Sequence, residues 1–243
     1  MLRKPVTPLI VAVLLIVAVL LTGSPPFLWA DPPRTGQTAP DVTASELLLT
    51  AAHQMIADFK ITRYSHKTHI DRDRGVCEVD CSGFLVVLLK ESSPRHLRQI
   101  ATHHKRPLAE DFYAVFTAQN GERPSGWKPI KHLQDVEPGD VIAWLKQERQ
   151  PGDNTGHVML VEQKPAAEGP NQFRVRVLDS TAHGHSGDTR PEGASGIGAG
   201  TLWLDVDHDG RPIGYRWKSR RGMLHQAPIA IGRAVGEPGV PTQ

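Results

Sequence analysis

Cysteine is scarce in this chain: two residues, Cys77 and Cys81, in a length of 243. A small exported domain held together by disulfides would carry more. The spacing Cys-x-x-x-Cys is not that of thioredoxin-like redox sites, and two thiols without a second pair do not make a zinc site. Long apolar runs are missing too. Leu9 to Leu21 is uninterrupted for 13 residues, short of the roughly 20 needed to span a bilayer. No internal repeat is visible. Excess charge of one sign is also lacking. The 28 basic residues fall to 26 once residues 1–30 are set aside, against 26 acidic ones. That near-neutral balance removes the main support for a nucleic-acid partner. The basic runs His103-His104-Lys105-Arg106 and Arg216-Trp217-Lys218-Ser219-Arg220-Arg221 read as solvated surface, with polyanionic cell-surface polymers as the alternative partner.

What is present begins with an address. Arg3 and Lys4 precede the apolar stretch, Gly23-Ser24-Pro25-Pro26 breaks it, and Leu28-Trp29-Ala30 offers a cleavage site before Asp31. Residues 1–30 are therefore expected to be a secretory signal peptide, with no stable membrane insertion once it is removed. The protein is expected to be exported, to the periplasm or to the extracellular side of the cell envelope. Residues 31–42, rich in Pro, Thr and Gly, read as a flexible leader. A single domain is expected over 43–233, followed by a disordered tail at 234–243.

Within that domain Thr43-Ala44-Ser45-Glu46 fits a capping box, and Leu48, Ala51 or Ala52, Met55 and Phe59 recur at helical spacing, predicting a helix to about Asp58. Residues 60–79 are polar and irregular and read as a loop. Asp80-Cys81-Ser82-Gly83-Phe84 then opens onto Leu85-Val86-Val87-Leu88-Leu89, a helix expected to pack Phe84, Val87 and Leu88 inward. Further helices are expected from Pro94, with Leu97 and Ile100 inward, and from Pro107 at a first helical position. After Trp127 come strand-length runs: 141–145, 157–161, 173–178, 201–206 and 213–217, the last two flanking a turn at Asp207-His208-Asp209-Gly210. A final run, Ile229-Ala230-Ile231, is expected to close the sheet. Helices first and antiparallel strands afterwards make an α+β domain.

The chemistry starts at Cys81. A cysteine at a helix N-terminus sits beside free N–H groups and the positive end of the helix dipole, which favour thiolate over thiol. A buried structural cysteine is the alternative. A thiolate nucleophile needs a base, and His157 stands at the head of a strand behind polar Asp153-Asn154-Thr155. Period-2 alternation puts Phe173, Val175, Val177 and Asp179 on one face of the next strand, so Asp179 continues an apolar row. A carboxylate there is costly unless paired, and an imidazole on a neighbouring strand would pair it. The alternative is that Asp179-Ser180-Thr181 starts the next loop. A Cys77–Cys81 bridge would silence the nucleophile and make the pair a redox switch, but helix-initiating geometry opposes its closure. His183, His185 and Asp188 could bind a metal, although a Gly-rich polar loop is the default. Asp205 to Gly210 lacks the Glu that a calcium loop requires at its twelfth position, where Arg216 stands.

Cys, His and Asp in that order, with Asp80-Cys81-Ser82-Gly83-Phe84, Glu137-Pro138-Gly139-Asp140-Val141-Ile142 and Gly156-His157-Val158-Met159-Leu160-Val161, resemble the NlpC family of papain-like cell-wall cysteine peptidases over roughly residues 60 to 180. The resemblance implies a small papain-like α+β core, with the nucleophile helix in an N-terminal helical half packed on an antiparallel sheet. It also implies secretion, no cofactor, and hydrolysis of amide bonds in peptidoglycan stem peptides. By the same resemblance Cys81 is nucleophile, His157 general base, Asp179 the orienting residue and Tyr64 part of the oxyanion site, while Asp80 and Ser82 shape the substrate pocket. Departures are plain. Ser65-His66-Lys67 stands where the family usually has Gly-Gly, and 94–119 and 181–200 look like additions. A silent or redox-controlled envelope-binding domain, or an amidase or acyltransferase on the same scaffold, are the competing readings. Oligomeric state is not specified.

Overall fold

The computed structural model describes residues 42–119, 126–150 and 154–236. The expected signal peptide and all of the expected leader save Val42 lie outside them, as does the expected tail beyond 236. The first helix, α1 (Ala44–Asp58), starts as its sequence dictates. The Thr43 hydroxyl accepts from the Glu46 N–H at 3.2 Å, and the Glu46 carboxylate accepts from the Thr43 N–H at 2.8 Å. Leu48, Ala52, Met55 and Phe59 are buried on one side.

The polar stretch after α1 is not a loop. It folds into a small sheet of β1 (Ile61–Tyr64), β2 (His69–Asp71) and β3 (Val76–Val79), with β3 central, parallel to β1 and antiparallel to β2. Only β3 buries alternate residues, Cys77 and Val79, so the usual half-buried strand pattern is faint. Next come α2 (Cys81–Ser92), the short α3 (Pro94–Arg98) and α4 (Ala109–Thr117). α2 buries Phe84 and Leu88 but also Leu85 and Leu89, while Val87 is only half-buried. The inward face is wider than expected because α1, α3, β3 and the main sheet all pack on this helix. α4 starts two residues after Pro107, where the Asp111 carboxylate accepts from the Leu108 N–H at 2.8 Å.

The rest of the chain builds one nine-stranded antiparallel sheet. Its strands are β4 (Trp127–Ile130), β5 (Val141–Leu145), β6 (Gly156–Val161), β7 (Ala166–Ala167), β8 (Gln172–Thr181), β9 (Gly196–Val206), β10 (Pro212–Arg216), β11 (His225–Gln226) and β12 (Ile229–Ala234). The order is β11-β10-β9-β8-β6-β5-β12-β4, with β7 on the side of β8. The final strand does not close the sheet at an edge. It inserts between β5 and β4, and Ala234, expected in the tail, pairs with Trp127. The turn before β5 is pinned by Asp140, whose buried carboxylate accepts from the Glu137 N–H at 2.9 Å and from Arg233 of β12 at 2.7 and 2.8 Å.

Alternation divides the sheet between two cores. Val141, Ala143, Val158, Leu160 and Leu178 face the helices. Ile142, Trp144, Met159, Val161, Val175 and Val177 face the other way, where β10 and β12 come together and Tyr215 stacks on Trp144 at 4.1 Å. Asp179 lies on the row of Val175 and Val177, and β8 runs through it to Thr181. The alternative in which Asp179 begins a loop is thereby corrected. β9 likewise starts five residues earlier than expected, inside the stretch 181–200 that looks like an addition. The reason is its composition: Gly196, Gly198 and Gly200 hide a strand from an apolar-alternation reading.

Candidate active site

Cys81 is the first residue of α2, and it is 5% exposed. Asp80 caps the helix, its Oδ1 accepting from the Gly83 N–H at 2.7 Å. The cap leaves the N–H of Cys81 without an intrahelical acceptor, as at any helix start, beside the sulfur. His157, second residue of β6, has a side chain 12% exposed. Gly156 before it passes so close to β5 that a Cβ would sit 1.8 Å from the Trp144 carbonyl oxygen, and its φ is +153°. Only glycine allows β6 to begin there.

His157 Nε2–H donates to Asp179 Oδ2 at 2.6 Å. That fixes the tautomer and leaves Nδ1 as the nitrogen that can exchange a proton with sulfur. Cys81 acts on the imidazole both as a charge and as a hydrogen-bond partner. Burial alone would lower the imidazole's proton affinity. The Cys81 thiolate charge and the bond to Asp179 outweigh it, and the pKa is pushed up to about 10. Asp179 is fully buried. Burial works against its charge, but His185 and His157 hold its carboxyl far below the usual carboxylate range.

Tyr64 ends β1 with its hydroxyl bonded to Asn154. Burial, with Cys81 and Asp80 nearby, pushes that hydroxyl well above its ordinary pKa. Asp80 Oδ2 accepts from Arg106 Nη2 and from His66 Nδ1 at 3.3 Å. The Ser82 hydroxyl accepts from Arg106 Nη1 at 2.7 Å and donates to Asp80 Oδ1 at 3.2 Å. These residues line a pocket of about 220 Å³ on the nucleophile's side, which Leu108 and Ala109 also border. A larger cleft of about 1030 Å³ lies on the base's side, walled by Trp144, Tyr215 and Trp217. Tyr64, His66, Asn154 and Gly156 border both.

All six residues predicted from sequence thus converge. Others come with them that sequence reading passed over. Arg106 belongs to a run read as solvated surface, yet its side chain is 22% exposed and holds Asp80 and Ser82 together. Nothing in a basic tetrad distinguishes it. Arg190 Nη2 donates to Asp179 Oδ1 at 3.2 Å, and His185 Nε2–H donates to Asp179 Oδ2 at 2.8 Å. Of the residues weighed as metal ligands, His185 and Asp188 are engaged in these bonds and His183 is not. Asp188 is taken by Arg190 at 2.7 Å, and no group of three or more His, Cys, Asp or Glu among the described residues is arranged to hold an ion. The Cys77–Cys81 bridge is absent. Both thiols are free, and burial pushes the Cys77 thiol up to about 11.

Comparison with protein families, curated proteins and solved structures finds no match to this chain. No helix among the described residues is long and apolar enough to cross a membrane.

Proposed function

We propose that the chain is an exported cysteine hydrolase with a papain-like core that cleaves amide bonds, with peptidoglycan stem peptides as its substrate class. The observation that carries this reading is the single imidazole that bonds a buried carboxylate through Nε2 and meets, through its other nitrogen, the cysteine that opens α2. In this reading the Cys81 thiolate attacks the amide carbonyl carbon, forming the C–S bond and placing negative charge on the carbonyl oxygen. The Cys81 N–H and the Tyr64 hydroxyl are donors to that oxygen. The His157 imidazolium gives its Nδ1 proton to the leaving nitrogen as the C–N bond breaks, leaving a thioester. Water then attacks with His157 taking its proton, the C–S bond breaks, and the acid leaves. Asp179 keeps the imidazole oriented and stabilises its charged form. The substrate class rests on the NlpC resemblance, and the Asp80–Arg106 pair borders the pocket beside Cys81.

The test is digestion of purified peptidoglycan by the protein and by Cys81→Ala, with products identified by mass spectrometry. A new amide cleavage from the wild type alone is expected. Absence of products from both across several wall chemistries would overturn the substrate class. Equal products from both would overturn the nucleophile.

A further inference from the structure

The mechanism above uses one imidazole on Asp179, but the carboxylate carries two. His157 and His185 donate to the same oxygen, Oδ2, at 2.6 and 2.8 Å. His185 reaches it from the segment after β8, its side chain wholly buried and its ring 4.0 Å from that of Trp217. Its Nδ1 has no hydrogen-bond partner. A buried ring with one unsatisfied nitrogen is held there by the bond its other nitrogen makes.

The surroundings are built for this placement. Asp188 Oδ2 accepts from the His185 backbone N–H at 2.6 Å, and Arg190 spans Asp188, Asp179 Oδ1 and the Gly196 carbonyl. The clamp lies flat on β9 only because the strand has no side chains there. A Cβ at Gly200 would come within 2.5 Å of His185 Cβ, and one at Gly198 within 2.8 Å of Arg190. The glycines that hide β9 from a sequence reading are therefore the ones that make room for the clamp.

We propose that His185 is a positioning residue: by sharing Asp179 Oδ2 with His157 it limits how strongly that carboxylate charges the catalytic imidazole. In this way it sets the pH range in which Cys81 and His157 act as a pair. The inference rests on the reading of those two residues as nucleophile and base. An anionic oxygen that accepts two donors gives less to each than it would give to one. Removing the His185 donor leaves His157 with a larger share of the Asp179 charge, which stabilises imidazolium. The charged and titratable groups around His157 are Cys81 from α2, Asp179 from β8, and Tyr64 and His66 at the β1 end. Tyr215 from β10 and, on the walls of the same cleft, Lys146, His183, Lys218 and His225 join them, with His185, Asp188 and Arg190 behind Asp179. Only His185 among them touches the shared oxygen besides His157.

The test is the rate of Cys81 alkylation by iodoacetamide in the full chain from about pH 5 to about pH 11, located by peptide mapping. It runs alongside nitrogen-15 NMR of the histidine rings. In His185→Phe and His185→Leu the alkaline inflection and the His157 ring titration are expected to move up by roughly half a pH unit. His185→Gln, which restores an N–H donor, is expected to return them toward the wild type. An unchanged or lowered inflection in the donor-less variants overturns the proposal, since a purely structural residue would lower the rate without raising the titration. If neither donor-less variant folds, the wild-type NMR decides. The His185 Nε2–H resonance is expected to shift as His157 titrates, and a resonance that ignores that titration overturns the proposal. Neither measurement needs an amide substrate. A chain that shows the shift but digests no peptidoglycan loses the hydrolase reading alone, and one that digests it with an unmoved inflection loses only this inference.

Discussion

At the scale of single residues the centre is an arrangement of charge. His157 is raised because two anions, Cys81 and Asp179, outweigh its burial. Replacing Asp179 by Asn removes one of them while keeping the side chain's shape. The imidazolium then loses stabilisation, so the alkaline limb of the pH–rate profile is expected to shift to lower pH, opposite to the His185→Phe effect. Hydrolysis should fall by roughly a hundredfold. A pH series of initial rates on a peptide amide checks both, and an unmoved alkaline limb would show that the Asp179 charge does not reach the base. Cys81, His157 and Asp179 were legible in the sequence because each stood at an element boundary or in an alternation row. Arg106, His185 and Arg190 were not, because a residue in an irregular segment has no periodicity to say where it points.

At the scale of elements, two short polar motifs fasten the scaffold. The Thr43–Glu46 box starts α1, and its sequence spacing is enough to predict it. The Pro-Gly-Asp turn is different, since Asp140 meets Arg233 across 93 residues of chain. That carboxylate is fully buried while the guanidinium is a quarter exposed. Burial raises the Asp140 pKa despite the pair. Asp140→Asn keeps the side chain's size but removes the charge facing Arg233, and is expected to cost about 2 kcal/mol in urea-unfolding free energy at neutral pH. A loss within error would show that the pair is solvent-compensated. The small sheet at 61–79 escaped the sequence reading for a related reason. Two of its three strands bury no residue fully, so pairing with β3 rather than a hydrophobic face defines them.

At the scale of the whole molecule the site ties stability to pH from both sides. The folded pKa of Asp179 is depressed, so its contribution is present above the carboxylate's unfolded value and is lost as pH falls below it. The folded pKa of His157 is raised, so its contribution is complete below the unfolded imidazole value of roughly 6.5. It is lost as pH climbs through about 10. Urea midpoints are accordingly expected to fall at both ends, with a plateau between about pH 5 and about pH 6.5. In His157→Gln the alkaline fall should flatten. Retention of the full alkaline slope in that variant would assign it to other groups, the buried Cys77 thiol first among them.

What the sequence by itself determined is local: capped helix starts, the alternation that turns Asp179 toward a core, the hairpin at Asp207, and an α+β order of elements. These follow from neighbours a few residues apart, whose spacing sets which face a side chain takes. Only the tertiary structure decided which residues serve Asp179. Its donors come from β6 and from the segment before β9, and the latter lies flat because glycines empty the strand beneath it. Those contacts depend on sheet register and on space left by missing side chains, and neither is written in the spacing of any one segment.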